Sequence, residues 1–176
     1  MAFKLLSPTL THVAICGLAM LVTTTTAQPQ PSYASNRKFS CAQSKGVPVT
    51  FARREDGRNV PMIRWVSSFS SLTPLQRCRE VSRRFQRSYD NGTLKTIITG
   101  TLNKQSVVCA VVSTNDACTS STVLFTLKPG ANARDVVKSL FDRRALASGE
   151  IQNQSNDDTQ IYIDFDTYLN NLQPER

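Results

Sequence analysis

The chain has 176 residues and carries 21 Lys and Arg against 13 Asp and Glu; its 40% hydrophobic content suits one compact domain. Its single histidine, His12, sits in the N-terminal leader. Without it the remainder lacks the base of Ser-His-Asp and Cys-His nucleophiles and the usual zinc or copper ligand, so no metal or cofactor site is expected and only carboxylate or Ser-Lys chemistry stays open.

Lys4 precedes the apolar residues 13–22 (VAICGLAMLV), and the small residues 23–27 follow with no acidic neighbour, the layout of a secretory signal peptide. A bilayer-spanning helix needs about 20 apolar residues, so this run is too short for a permanent anchor. Thr25 and Ala27 suit the −3 and −1 positions of a signal peptidase, which places cleavage after Ala27 and removes Cys16 with the leader. A lipoprotein would need small residues just before Cys16, and Val13, Ala14 and Ile15 fit that poorly. The expected organisation is a signal peptide over 1–27, a flexible linker over 28–37 with two prolines, and one domain over 38–173.

Past the leader remain Cys41, Cys78, Cys109 and Cys118, an even set in an exported chain, which reads as two disulfides. Three connectivities are open. Sequential pairing, Cys41 with Cys78 and Cys109 with Cys118, is the simplest for a chain emerging N-terminus first. No C-x-x-C pair supports a zinc ribbon or a thioredoxin-like site.

Phe39 and Cys41, then Val47, Val49 and Phe51, alternate around Ser44-Lys45-Gly46 as a first hairpin. Residues 60–69 (VPMIRWVSSF), apolar on both faces, predict a third, covered strand. Thr73-Pro74 opens a helix in which Leu75, Cys78, Val81, Phe85 and Tyr89 form the apolar stripe and Asn91-Gly92 the stop. Residues 94–102, 107–112 and 123–127 predict an antiparallel meander. A second amphipathic helix carries Ala133, Val136, Val137, Leu140 and Phe141 and ends in Arg143 and Arg144, where cations suit the helix dipole. After a polar stretch over 149–159, Ile161, Ile163 and Phe165 alternate as a last strand, and Tyr168, Leu169 and Leu172 mark a short closing helix. The fold class expected is α+β: about seven antiparallel strands, two main amphipathic helices and a short C-terminal one in a single domain.

Charge is unevenly spread. Residues 37–90 hold twelve basic residues against four acidic, whereas residues 91–176 hold eight against nine. Arg77, Arg79, Arg83, Arg84 and Arg87 fall within three turns of the first helix, with Glu80 the acid among them. They make either a solvated helix face or an anion-binding one. Asp164 and Asp166, two apart on a predicted strand, would share one face, as a metal or glycosidase site uses; the alternative is that Asp166 caps the last helix and Asp164 a strand end. Asn91-Gly92-Thr93 and Asn153-Gln154-Ser155 match the glycosylation pattern, a short motif that often arises by coincidence.

Several strings occur in fixed order. They are Phe39-Ser40-Cys41, Val60-Pro61-x-Ile63-Arg64-Trp65, Thr73-Pro74-x-x-Arg77-Cys78-x-x-Val81-Ser82-x-x-Phe85, Asn91-Gly92-Thr93-Leu94, Val108-Cys109 and Leu124-Phe125-Thr126-Leu127-Lys128-Pro129-Gly130. Leu140-Phe141-Asp142-x-Arg144 and Ile161-Tyr162-Ile163-Asp164 follow. Together they resemble the cyanobacterial circadian oscillating polypeptide family over nearly all of residues 38–172. The resemblance implies an exported cyanobacterial protein, peripheral to a membrane and rhythmically expressed, with no catalytic residues to carry over.

Two function classes follow. One is an exported, non-enzymatic binding module whose arginine-rich face meets an anionic membrane surface, an acidic polymer or an acidic protein, in the periplasm, thylakoid lumen or extracellular space. The other is a carboxylate-dependent hydrolase acting on extracytoplasmic polysaccharide through Asp164, Asp166 or Glu80. Export removes the chain from nucleic acid.

Overall fold

The computed structural model describes residues 37–66, 71–141, 143–149 and 160–174. The expected signal peptide, residues 28–36 of the expected linker, Phe69 and residues 150–159 with the second glycosylation motif lie outside the described residues. The chain divides into Met1–Ala34 and Ser35–Arg176, and everything below belongs to the second unit.

Strands β1 (Phe39–Ser44) and β2 (Val47–Arg53) pair antiparallel across a tight turn in which Lys45 and Gly46 both take positive φ, 51° and 77°. Glycine accepts that backbone without steric cost, and the turn's twist matches that of the strands. β3 (Asn59–Arg64) completes a three-stranded sheet in the order β1-β2-β3. It is shorter than the 60–69 expected. The Trp65 N–H still bonds the Pro48 carbonyl of β2 at 2.9 Å while its indole is buried, with 1% of the residue exposed, and residues 67–69 are not among those described.

The second sheet has the order β6-β5-β4-β7 and is antiparallel throughout. β4 (Thr96–Leu102), β5 (Gln105–Val111) and β6 (Val123–Thr126) form the expected meander, and β7 (Tyr162–Asp164) adds to the far side of β4. One face of this sheet carries Ile97, Val108, Ala110 and Ile163 into the main core. The other carries Ile98, Val107, Cys109 and Val111 into a smaller cluster that Cys118, Leu102 and Tyr162 flank. Period-2 alternation therefore serves two apolar layers here, and these strands read as nearly continuous hydrophobic runs.

Four helices accompany the sheets: α1 (Pro74–Asp90), α2 (Ala133–Leu140), α3 (Arg143–Gly149) and α4 (Phe165–Asn171). The second helix stops earlier than expected. Phe141 turns extended (φ −89°, ψ 159°), bridges to Ile63 of β3 and stacks on Tyr168, so Arg143 and Arg144 open α3 instead of closing α2. α3 ends at Gly149, where a Cβ would sit 2.8 Å from the Asp164 carbonyl and 3.1 Å from Tyr168, so only glycine permits that approach. The last strand also ends one residue early, because Phe165 starts α4.

The main core draws on both sheets and all four helices. Its aromatic thread runs Phe85–Phe39–Phe165–Tyr168–Phe141 with ring centroids 5.4 to 6.0 Å apart. Each such fully buried side chain stabilises the fold by roughly 1.5–3 kcal/mol of transfer free energy. Cys41–Cys78 ties β1 to α1 over a separation of 37 residues, and Cys109–Cys118 closes the loop between β5 and β6 over 9. The pairing is the sequential one, and loop closures of these lengths contribute about 4 and about 3 kcal/mol in the chain-entropy model. The described residues form an α+β domain with seven antiparallel strands and four helices among them.

Candidate anion-binding site

α1 organises the basic half of the domain. Thr73 accepts a hydrogen bond from the Gln76 backbone N–H at 3.3 Å, and the Gln76 side chain returns one from the Thr73 N–H at 2.8 Å, a reciprocal capping box with Pro74 at the first helical position. Gly92, at φ 76°, ends the helix beyond Asn91. The buried stripe is Cys78, Val81, Ser82, Phe85 and Ser88. It differs from the expected one at both ends: Leu75 is only half-buried and Tyr89 is 49% exposed. Tyr89 meets Phe39 edge-on at the helix end, and Lys38 lies over its ring at 5.8 Å.

The five arginines separate into two sets, because successive helical residues advance by about 100°. Arg79, Arg83 and Arg87 recur every fourth residue and are all exposed. Arg77 and Arg84 lie on the flank toward the second sheet and serve the fold. Arg77 stacks on Trp65 with its guanidinium 4.8 Å from the ring centroid, and burial pulls its pKa below the ordinary arginine value. Arg84 donates to Glu80 at 3.0 Å and to the Leu124 carbonyl of β6 at 3.4 Å. Glu80 is shared, since Arg83 also reaches it at 2.6 Å. A lone carboxylate held by two guanidiniums leaves the face strongly basic.

The exposed set rims an open cleft of about 1030 Å³ between α1 and β1. Arg37 enters from the other side, so four guanidiniums face one carboxylate, that of Asp90, which itself accepts from Gln86. Gln86 also accepts the Phe39 backbone N–H at 2.9 Å, holding the start of β1 against the helix. Arg37 falls at the end of the expected linker. Nothing in its spacing ties it to α1, and only the β1 contact with the helix brings it there.

A second cleft of about 260 Å³ lies on the other side of α1, lined by Glu80, Arg84, Arg87, Asn103, Gln105 and Ser120 among others. Arg87 borders both clefts.

The acidic candidates part company. Asp164 ends β7 and caps α4, accepting the Thr167 N–H at 2.7 Å, whereas Asp166 stands exposed in the first turn of α4 with Lys95 at 3.9 Å. Asp164 thus keeps the strand end expected of it and also takes the helix cap expected of Asp166, which is a surface charge. The strand ends between them, so they do not share a strand face. Glu80 lines its clefts beside arginines, without either aspartate. Among the described residues no group of three or more His, Cys, Asp or Glu side chains converges to hold a metal ion. Among them, too, no helix is long and apolar enough to cross a membrane.

No curated protein and no solved structure gives a significant match to the chain. A family model does, that of the circadian oscillating protein COP23, over residues 38–170, which takes in every strand and all but the last residue of α4. With the match spanning the whole two-sheet core, its disulfides and the arginine helix between them, the chain belongs to the COP23 circadian oscillating protein family.

Proposed function

We propose that the chain is an exported, non-enzymatic binding module that docks peripherally on an anionic membrane surface through Arg37, Arg79, Arg83 and Arg87. The supporting observation is the rim of four arginines on one open cleft, where Asp90 is the carboxylate of the lining and Glu80 pairs Arg83 from beside it, so the positive charge stays in excess. Arginine suits this task because its planar fork makes paired hydrogen bonds to phosphate. Each basic side chain near an anionic leaflet contributes about 1 kcal/mol, so three or four give a useful but reversible attachment. Exposed Tyr89 lies at the same end of α1, and an aromatic ring with a polar tip suits the headgroup layer. The two disulfides agree with an oxidising compartment, as export requires.

The test is sedimentation of the mature protein with phosphatidylglycerol-containing vesicles at low and high salt. Binding is expected at low ionic strength and is lost as the Debye length shrinks to about 3 Å at 1 M. Arg83→Glu with Arg87→Glu abolishes it, whereas Arg53→Glu with Arg58→Glu, the same charge change on the β2–β3 turn, leaves most of it. Equal loss in both pairs would reduce the effect to net charge and remove the docking face.

A further inference from the structure

We propose that the smaller cleft beside α1 is a headgroup-selecting site for an anionic cyclic polyol, a sugar or inositol ring bearing one phosphate, sulfonate or carboxylate. The inference rests on the surface-docking reading above and deepens it, because Arg87 borders both clefts.

Three rigid pieces build the cleft. α1 supplies Arg84 and Arg87; the β4–β5 turn supplies Asn103 and the start of β5 Gln105; the β5–β6 connection supplies Ser120, two residues past Cys118 and its disulfide. None of these pieces needs ordering on binding. The turn is a two-residue hairpin with Asn103 and Lys104 at φ 50° and 62°. In the loop, Thr119 bonds Ser121 and Thr122 through side-chain hydroxyls at 2.9 and 3.2 Å, and its N–H donates to the Thr122 hydroxyl at 2.8 Å. Donors held in place before binding cost little entropy when a ligand arrives.

The chemistry of the lining names the ligand. Arg84 is pinned by Glu80 and the Leu124 carbonyl, so its charge is fixed in position. Arg87 is exposed and paired with no carboxylate among the described residues, which leaves its fork available to an anionic group. The side chains of Asn103, Gln105 and Ser120 make no hydrogen bond among the described residues, and amides and hydroxyls of this kind exchange donors and acceptors with ring hydroxyls. Among the described residues no aromatic side chain lines the cleft, so a neutral sugar would find no stacking platform there and the anionic group must anchor the ring. A volume of about 260 Å³ suits a single six-membered ring, below the span of drug-sized sites.

The experiment compares the mature protein on vesicles of phosphatidylinositol and of phosphatidylglycerol at equal surface charge, with soluble myo-inositol 1-phosphate added as a separate arm. Phosphatidylinositol should hold the protein at about fivefold lower lipid concentration, the worth of one net hydrogen bond. Gln105→Ala with Ser120→Ala, both exposed and safe to truncate, should erase that preference and leave phosphatidylglycerol binding unchanged. Soluble inositol phosphate that shifts the Gln105 and Ser120 amide resonances, without a preference between vesicles, keeps the ligand chemistry and makes its source a free metabolite. Equal vesicle binding with no such shifts overturns the site while surface docking stands. A preference that survives the double variant overturns it as well, and failure to bind either vesicle, again without shifts, overturns both readings.

Discussion

Trp65 donates its indole N–H to the hydroxyl of Thr50 across 3.0 Å, and that same hydroxyl accepts from Ser82 at 3.1 Å and lies 4.0 Å from the disulfide sulfur of Cys78. One buried oxygen thus joins β2, the residue after β3 and helix α1 inside an otherwise apolar core. Thr50→Val keeps the shape and removes the acceptor. Two buried donors then lose their partner, at about 1–3 kcal/mol for one left unsatisfied, with the Ser82 hydroxyl free to rotate elsewhere. Urea unfolding followed by the emission of Trp65, the only tryptophan, should show a loss of about 2 kcal/mol, and Thr50→Ser should restore most of it. A neutral Thr50→Val would mean that the indole is bonded elsewhere.

Arg77 and Arg79 stand two residues apart and should behave in opposite ways. Arg77→Ala removes the guanidinium from the Trp65 ring and is expected to cost about 1 kcal/mol of stability with vesicle binding intact. Arg79→Ala should weaken vesicle binding and leave the urea midpoint in place. Because the proposed docking groups are arginines and no histidine lies beyond His12, binding to phosphatidylglycerol is expected to stay flat between about pH 5 and pH 9. A step near pH 6 would point to another group.

Gly100 lies under the second disulfide: a Cβ there would meet Cys118 Sγ at 2.9 Å and Cys118 Cβ at 3.5 Å. Gly100→Ala should destabilise the domain by about 1–3 kcal/mol through overpacking. The penalty should largely vanish in a background with Cys109→Ala and Cys118→Ala, where the clashing sulfur is gone. Simple additivity of the two changes would show that the penalty does not come from the Cys118 sulfur.

The division of labour between the aspartates is open to a stability measurement. Asp164→Ala should cost about 1 kcal/mol through the lost α4 cap, and Asp166→Ala less than about 0.5 kcal/mol as a surface change. A hydrolytic activity on polysaccharide that disappeared in Asp164→Asn with Asp166→Asn would instead revive a carboxylate mechanism.

Protein isolated from its native host should begin at Gln28 and resist alkylation until it is reduced. Intact mass before and after iodoacetamide reads both points. Retained residues 1–27, or a thiol labelled without reductant, would count against the proposed export and against the paired cysteines.

Local chemistry made much of this legible. The Thr73-Pro74 start, the Lys45-Gly46 turn and the β4–β5–β6 alternation each depend on a few neighbouring residues, and the structure has them where the pattern puts them. Where a residue answers to distant partners, pattern alone misleads. Phe141 continues a helical stripe in sequence, yet it ends α2 because Ile63 and Tyr168 offer it a bridge and a stacking surface. Tyr89 falls on the same periodicity as Phe85 but lies past the edge of β1, where no layer covers it. At the candidate site the helix arginines were visible as a group. Their separation into exposed and structural sets depends on Trp65 and Leu124, and Asn103, Gln105 and Ser120 come together only through tertiary placement.

The far-side strand has a kinetic consequence. The Ile161 N–H finds its acceptor, the Thr99 hydroxyl, 62 residues back along the chain, while β4 meets β5 across the Asn103-Lys104 turn and β6 follows after residues 112–122. Hairpins close in microseconds and long-range pairings follow slowly, so β4 should wait with one flank open until β7 arrives. During that interval Ile97 and Ile98 present an unpaired apolar edge, a template that a neighbouring molecule can occupy as readily as the chain's own strand. Refolding yield should therefore fall steeply with protein concentration, and exchanged β7 strands are the form in which the losses should be found.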